Sequence, residues 1–309
     1  MKRSLVSAIA GAALLVPFAA HSAPIVMEGN YVKTAVSDNG TLGYGGTVTP
    51  GILHDSTGKR DFGVNDYLTP GTPHEIFSIK SDQTGLRTNN NTGSTSITGG
   101  VLTNTSGTSG YDLSVNWTAT YGSWFTISTD TFFNEGDERI GFKTVITALA
   151  DLSSLQFLRS LDPDPDVNTY GSYVTQNGRG NPDKDLAAND WVHAEGAQTG
   201  LTIGLYSNSS VTHNTGVSSG WSMDPAFYLA GNNNGNGDYS IGLAFDIGTL
   251  LAGQSVTLDY FYIMGESLDQ VEIPGEEPNE EPSEVPEPGT LALLGLGLAG
   301  LSLRRKLSA

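Results

Sequence analysis

Residues 111–121 read YDLSVNWTATY, a stretch in which apolar and polar side chains take turns. The apolar positions are Leu113, Val115, Trp117, Ala119 and Tyr121. Successive side chains of a β-strand point to opposite faces of its sheet, so this alternation predicts a strand with one buried and one solvated face. Trp117 is on the apolar face and is expected in the core. The stretch therefore favours an antiparallel sheet.

Segments on either side extend the same pattern. Residues 124–133 and 139–148 flank the turn sequence NEGDE, in which Gly136 can take a positive φ, and together they predict a hairpin. Further alternating runs lie at residues 201–205, 239–247 and 256–264. Outside the termini, no stretch keeps apolar residues at helical spacing over three turns, so we expect at most one short helix in the body.

We therefore predict an all-β fold, an antiparallel β-sandwich of jelly-roll or supersandwich type with about a dozen or more strands. Composition agrees, because 38% of the 309 residues are hydrophobic, only 16% are charged and 39 are glycine. Residues 29–110 are so rich in Gly, Thr and Asn that their strand order stays open, and they could form a minor lobe.

Charge and cysteine content exclude several functions. The formal net charge of -18 would repel a phosphate backbone, which argues against nucleic-acid binding. The chain has no cysteine, so disulfides, thiolate nucleophiles and cysteine-ligated metal sites are excluded. An acidic protein attracts cations, and Ca²⁺ is the hard cation that carboxylates coordinate outside the cytoplasm.

The N-terminus has the features of a secretory signal peptide. A basic start, Met1-Lys2-Arg3, precedes an apolar stretch over residues 5–20, and small residues allow cleavage after Ser22. Residues 1–22 are thus predicted to direct export through the Sec and signal peptidase machinery. The alternative, an uncleaved anchor helix, is disfavoured because the run is short and Pro17 interrupts it.

The C-terminus combines three elements in order. Pro286, Glu287 and Pro288 come first, an apolar Leu/Gly/Ala segment follows at residues 291–303, and the basic residues come last, at Arg304, Arg305 and Lys306. The apolar part predicts a single hydrophobic helix that is marginally long enough to span a bilayer. Basic residues stay on the cytoplasmic side, so such a span would place the body outside the inner membrane.

These three elements resemble the PEP-CTERM sorting signal of Gram-negative bacteria, although Gly289 stands where that family often has serine. The resemblance implies that an exosortase, an integral-membrane transpeptidase-like protease, recognises residues 286–288. It also implies that residues 291–303 insert transiently in the inner membrane, that the three cations retain them there, and that the body then reaches the cell surface or exterior. An ordinary C-terminal anchor would give the same topology without cleavage.

Four segments follow from this reasoning. Residues 1–22 are the signal peptide, 23–265 the β-sandwich body, 266–285 a linker and 286–309 the sorting and anchor segment. Glutamates interleave with prolines in the linker, which keeps such a segment extended and unable to bury apolar surface.

The best metal candidate is Asp162-Pro163-Asp164-Pro165-Asp166, which follows a predicted strand over residues 155–161. Alternation would bring Asp162, Asp164 and Asp166 close enough to share one Ca²⁺, and the prolines would fix the loop. The alternative is a rigid, solvated turn in which Asp and Pro are simply favoured.

A second loop resembles the front half of an EF-hand, with Asn232, Asn234, Asn236 and then Asp238. Leu243 stands where a bidentate glutamate is needed, so a flexible hairpin loop is the favoured interpretation. For a ligand surface, Trp191 and Trp221 are the best candidates, because both lie in polar, loop-like surroundings and indole faces stack on sugar rings.

Our leading hypothesis is a non-enzymatic exported protein that acts at the cell surface or in the extracellular matrix of a biofilm and adheres to polysaccharide. A calcium-dependent carbohydrate-binding module is one alternative. The other is a secreted carbohydrate-active enzyme, which needs two carboxylates that converge in a cleft. Carboxylates are available for that role, but the sequence does not pair them: Glu75, Glu135, Asp137, Glu138 and Glu195.

Overall fold

The computed structural model describes residues 23–63 and 65–274. The predicted signal peptide, the sorting motif, the hydrophobic helix and the terminal cations lie outside these residues, as does most of the predicted linker. No helix within the two described ranges combines the length and apolar character that a membrane span needs.

The described residues form sixteen β-strands and two short α-helices. The first eight strands are β1 Ile25–Glu28, β2 Val32–Val36, β3 Ile52–His54, β4 His74–Ser81, β5 Gly85–Asn90, β6 Val101–Asn104, β7 Leu113–Tyr121 and β8 Phe125–Phe133. The other eight are β9 Arg139–Ala148, β10 Leu152–Asp162, β11 Thr175–Arg179, β12 Trp191–Gly196, β13 Thr202–Tyr206, β14 His213–Ser218, β15 Ser240–Leu250 and β16 Ser255–Gly265. The helices are α1 Val167–Tyr170 and α2 Pro225–Leu229.

In the part of the chain that is described, these strands build three sheets. A small sheet has the order β1-β2-β3, a five-stranded sheet has the order β14-β15-β10-β4-β5, and an eight-stranded sheet has the order β11-β12-β13-β16-β9-β8-β7-β6. The strands within each sheet pair antiparallel. The predicted all-β antiparallel fold is confirmed.

Residues 113–121 of this stretch form β7, and Val115, Trp117 and Ala119 are buried as the alternation predicts, with Ser114 buried as well. Trp117 is buried in the core, where its indole nitrogen donates to the Asp38 carbonyl at 2.8 Å. The predicted hairpin is β8 and β9, with the turn at residues 134–138. Local alternation was therefore a sufficient signal for these strands.

The structure has one more helix than we expected, because both helices are too short to show a helical period. Helix α2 begins at Pro225, and the Asp224 side chain accepts from the Ala226 backbone N–H at 3.0 Å as an N-cap. Helix α1 ends at Tyr170, because Gly171, which caps it, has a φ of 66° and stops it after one turn.

The core lies between the five-stranded and eight-stranded sheets. Phe77 on β4 meets Trp117 on β7 at 5.4 Å between ring centroids, and Phe157 on β10 meets Tyr260 on β16 at 5.8 Å. Each pair joins one sheet to the other, so the two sheets form a sandwich closed by aromatic side chains.

One ion pair lies inside this core. Arg159 on β10 bonds the Glu75 carboxylate on β4, and both side chains are almost fully buried. Glu75 also accepts from the Leu42 backbone N–H at 2.6 Å and from the Tyr262 hydroxyl at 3.0 Å. The Arg159 guanidinium lies 4.6 Å from the Phe142 ring centroid. Glu75 is thus a partner of Arg159 in the core.

The outer face of the five-stranded sheet is covered in part by α2. Tyr228 on this helix packs with Ile76, Leu158 and Ala244 from three neighbouring strands, and its hydroxyl is 3.1 Å from Ser160 Oγ. Alternation along β10 places Leu158, Ser160 and then Asp162 on this same outer face. The face thus carries an apolar patch under α2 and a carboxylate at the strand's end.

Candidate functional site

The candidate site lies at one edge of the five-stranded sheet. Asp162 is the last residue of β10 and pairs with His74, the first residue of β4. Ser218 at the end of β14 pairs with Ser240 at the start of β15. Because the strands run antiparallel, the loops after β10 and β14 meet the segments that lead into β4 and β15 at this edge.

Three carboxylates converge there. Among the described residues, Asp162, Asp164 and Asp238 form a group in which one oxygen from each lies within 4.8 Å of the others. Asp162 and Asp164 are 3% and 2% exposed, whereas Asp238 is partly exposed. Three acidic side chains at this separation repel one another unless a proton or a cation lies between them.

The carboxylates line a cavity of about 200 Å³. Its wall also contains Gly71, Thr72, Tyr173 and Trp221. Aromatic rings and carboxylate oxygens therefore face the same space, a combination of apolar surface and polar groups that is typical of ligand sites.

Two buried oxygens in this site have unused hydrogen-bonding capacity. Within the described ranges, Asp162 Oδ1 and Asp164 Oδ1 have no hydrogen-bond partner. Burial raises the pKa of Asp162 to about 7, and the Asp238 charge adds to the rise. The nearby indole N–H of Trp221 lowers the Asp162 pKa, although its geometry falls outside that of a hydrogen bond. Burial, together with the charges of Asp162 and Asp238, raises the pKa of Asp164 to about 9.

Backbone contacts hold the carboxylates in position. The Asp164 N–H donates to the Tyr67 carbonyl at 2.9 Å. Gly237, next to Asp238, exchanges two backbone hydrogen bonds with Thr175 at 3.0 and 3.1 Å. The loops that carry the two aspartates are therefore anchored to ordered strands and segments.

Gly71 lines the cavity, and its lack of a side chain leaves room there for the Tyr173 ring and the Asp164 carboxylate. Its φ is +72°, and an added Cβ would lie 2.6 Å from Tyr173 Cε1 and 3.0 Å from Asp164 Oδ2. Only glycine both adopts this positive φ readily and has no Cβ to collide with these two side chains. The Asp164 carboxylate and the Tyr173 ring thus approach each other across a position without a side chain.

The prediction for the Asp-Pro loop is corrected in two ways. Asp166 does not join Asp162 and Asp164, because its carboxylate accepts the backbone N–H groups of Gln198 and Thr199 at 2.7 and 3.1 Å. The alternative of a solvated turn is also wrong, since all three aspartates are buried. The third carboxylate at the site comes from Asp238 instead.

Asp238 follows the asparagine-rich loop, which joins α2 to β15 and is therefore not the hairpin loop that we predicted. The loop does not act as an EF-hand: the Asn236 side chain accepts from the Asn177 N–H at 2.9 Å and the Asn234 side chain from the Ser219 N–H at 2.9 Å. No local sequence signal assigned Asp238 to the site, because it reaches Asp162 and Asp164 only through the pairing of β15 with β10.

The two tryptophan predictions have different outcomes. Trp191 is the first residue of β12, is 0% exposed and packs over Gly204, so the interpretation as a loop residue with an accessible indole is wrong. Trp221 does lie in a loop, between β14 and α2, and lines the cavity. Its role as a ligand contact stays a prediction.

Comparison with protein families places the PEP-CTERM protein-sorting motif at residues 284–306. The chain therefore carries the C-terminal sorting signal of exosortase substrates, as the sequence predicted. No curated protein matches the chain.

Several solved structures are similar to the chain at low identity. A proposed aldose 1-epimerase from Escherichia coli K12 is 12% identical, with a TM-score of 0.44 over 81% of this chain and 98% of that one. An α-mannosidase from Enterococcus faecalis V583 is 11% identical, with a TM-score of 0.39 over 77% of this chain and 29% of that one. A heparan sulfate lyase from Pedobacter heparinus is 8% identical, with a TM-score of 0.39 over 78% of this chain and 36% of that one.

Proposed function

We propose that this exported chain is a binding protein whose body holds a calcium ion between Asp162, Asp164 and Asp238. The sorting motif at residues 284–306 marks an exported protein that an exosortase processes at the membrane. From there the body would act at the cell surface or in the extracellular matrix, where it would adhere to polysaccharide. In that location calcium is abundant enough to fill a site of moderate affinity.

The observation that carries the proposal is the convergence of the three carboxylates. Calcium prefers oxygen ligands, and each carboxylate can supply one or two of the six to eight it takes. Asp162 and Asp164 each bury an oxygen that lacks a partner among the described residues, which is costly unless something binds it. A divalent cation would supply that interaction and cancel most of the repulsion within the group.

Calcium titration tests this proposal. We expect calorimetry of the exported protein to detect one bound Ca²⁺. Saturating calcium should raise Tm by roughly 5 °C or more, because a ligand that binds only the folded state stabilises it. Asp164→Asn removes one charged ligand and should weaken binding by about tenfold or more, a loss of about 1.4 kcal/mol.

Asp259→Asn is the matched control, since Asp259 is an exposed aspartate on β16. This variant should bind calcium as the natural chain does. The proposal is wrong if calcium produces neither heat nor a Tm shift, or if both variants lose the ion equally.

A secreted carbohydrate-active enzyme is the second candidate. It is favoured by the same two buried carboxylates, Asp162 and Asp164, which face a cavity and could divide acid and base roles. An enzyme would release short sugars from a polysaccharide in the presence of a chelator, whereas a calcium-dependent binding protein would leave the polymer length unchanged.

A further inference from the structure

Two aromatic side chains share the cavity with the carboxylates. Tyr173 precedes β11 and is 42% exposed, and Trp221 is partly exposed in the loop before α2. Exposed rings of this size are costly to leave in water and gain by covering an apolar surface. The cavity thus offers a bound ligand both ring faces and carboxylate oxygens.

Trp221 is held in an unusual conformation. Its φ is 49°, in the left-handed region that non-glycine residues seldom adopt. Its ring centroid lies 6.3 Å from that of His74, which starts β4, so packing against the sheet edge helps to keep the indole there. Strain of this kind persists only where the surroundings enforce it, and it concentrates at functional sites.

The indole N–H of Trp221 lies near the Asp162 carboxylate but does not complete a hydrogen bond with it. Its Nε1 is buried and has no hydrogen-bond partner in the described part of the chain. A ligand oxygen in the cavity would satisfy this N–H, while the carboxylates would serve a cation. A ligand with several hydroxyl groups could accept from the indole N–H with one oxygen and bind the cation with others.

We infer that the cavity binds a neutral sugar residue through two vicinal hydroxyls on the calcium ion, with Trp221 and Tyr173 against its C–H surface. This inference rests on the proposed calcium site. Three carboxylates leave some of the six to eight calcium positions open, and two adjacent hydroxyl oxygens can fill a pair of them. The cavity, about 200 Å³, is below the range of about 300 to 1,000 Å³ typical of larger ligands, which suits a single ring.

Charge selects a neutral sugar over an acidic one. Three ionised carboxylates and one Ca²⁺ together carry one net negative charge, and the whole chain has a net charge of -18. A polyuronate would be repelled by both, whereas neutral hydroxyls meet no such penalty. The partner is therefore a neutral polysaccharide or a neutral sugar at its end.

Affinity electrophoresis tests the inference. The natural chain would migrate through native gels that contain mannan, galactan, dextran or alginate, each with calcium and with EDTA. We expect at least one neutral polymer to retard it at least twofold with calcium and not with EDTA. Trp221→Ala and Tyr173→Ala should each abolish most of the retardation, because each removes a ring that would cover the C–H surface of the sugar.

Tyr111→Ala is the control, because Tyr111 is an exposed tyrosine that stacks on Phe132 in the eight-stranded sheet. It should leave retardation unchanged. Calorimetry with calcium alone, on each variant, keeps the two proposals separate. Calcium binding without retardation by any neutral polymer overturns the sugar inference only. Retardation by alginate alone, or equal retardation in EDTA, also overturns it.

Discussion

Arg159→Met is expected to destabilise the body by about 3–5 kcal/mol, because it would leave the Glu75 carboxylate uncompensated in the core. Glu75 is 0% and Arg159 1% exposed. Burial raises the pKa of Glu75, and the Arg159 charge opposes that rise. Without Arg159, the carboxylate would keep two donors, the Leu42 N–H and the Tyr262 hydroxyl, and would have to bind a proton or stay charged in the core.

Urea unfolding of the purified protein measures this effect. Arg139→Met is the matched control, since Arg139 pairs with Asp137 at 3.6 Å and is 35% exposed. A surface pair of this kind contributes about 0–1 kcal/mol, so the control should stay within that range. The double variant Glu75→Leu with Arg159→Met should recover much of the loss, because it leaves no unpaired charge. A loss below about 1 kcal/mol for Arg159→Met would contradict this account of the core.

Glu287→Ala is expected to abolish processing of the exported chain. Glu287 lies within residues 284–306, the matched sorting motif. Its carboxylate is the charged group of the Pro-Glu-Pro tripeptide, and an alanine offers a protease no equivalent contact. With a tag in the body, immunoblots should show the unprocessed chain in the membrane fraction and little or no processed product.

The control for sorting is Glu280→Ala. Glu280 belongs to the same Glu/Pro-rich stretch but precedes the matched residues. This variant should be processed normally. If Glu287→Ala yields the processed product at the natural rate, Glu287 is not part of the recognition signal.

The strands that the sequence predicted are those whose signal is local. Strand β7 and the β8–β9 hairpin need only alternation and a turn, and both are present within about 40 residues. The order β15-β10-β4 joins segments far apart in sequence, and no local pattern encodes such pairing. The architecture was therefore predictable, whereas the strand order was not.

The site could be predicted only in part, because one of its residues depends on strand pairing that no local pattern encodes. Asp162 and Asp164 could be assigned from the alternation that ends β10, but Asp238 reaches them only because Leu161 pairs with Ile241 across β10 and β15. In sequence, Asp166 is equivalent to Asp162 and Asp164. In the structure, its carboxylate accepts a hydrogen bond from the Thr199 N–H in a loop that is remote in sequence, so the local pattern could not reveal this contact.

Trp191 shows how a polar neighbourhood can mislead. Its sequence neighbours Asn189 and Asp190 suggest a loop, yet the indole packs into the space that Gly204 leaves on the adjacent strand β13. A Cβ on Gly204 would clash with the Trp191 ring. The glycine that buries this tryptophan lies on another strand, so the surrounding sequence does not reveal it.

A crystal structure of the exported protein grown with calcium, with the ion located by its anomalous signal, tests the calcium site most directly. We predict a single strong peak in the cavity, about 2.3–2.6 Å from oxygens of Asp162, Asp164 and Asp238. A map from calcium-saturated crystals with no peak between these carboxylates, or with the ion bound elsewhere, would contradict the proposed function.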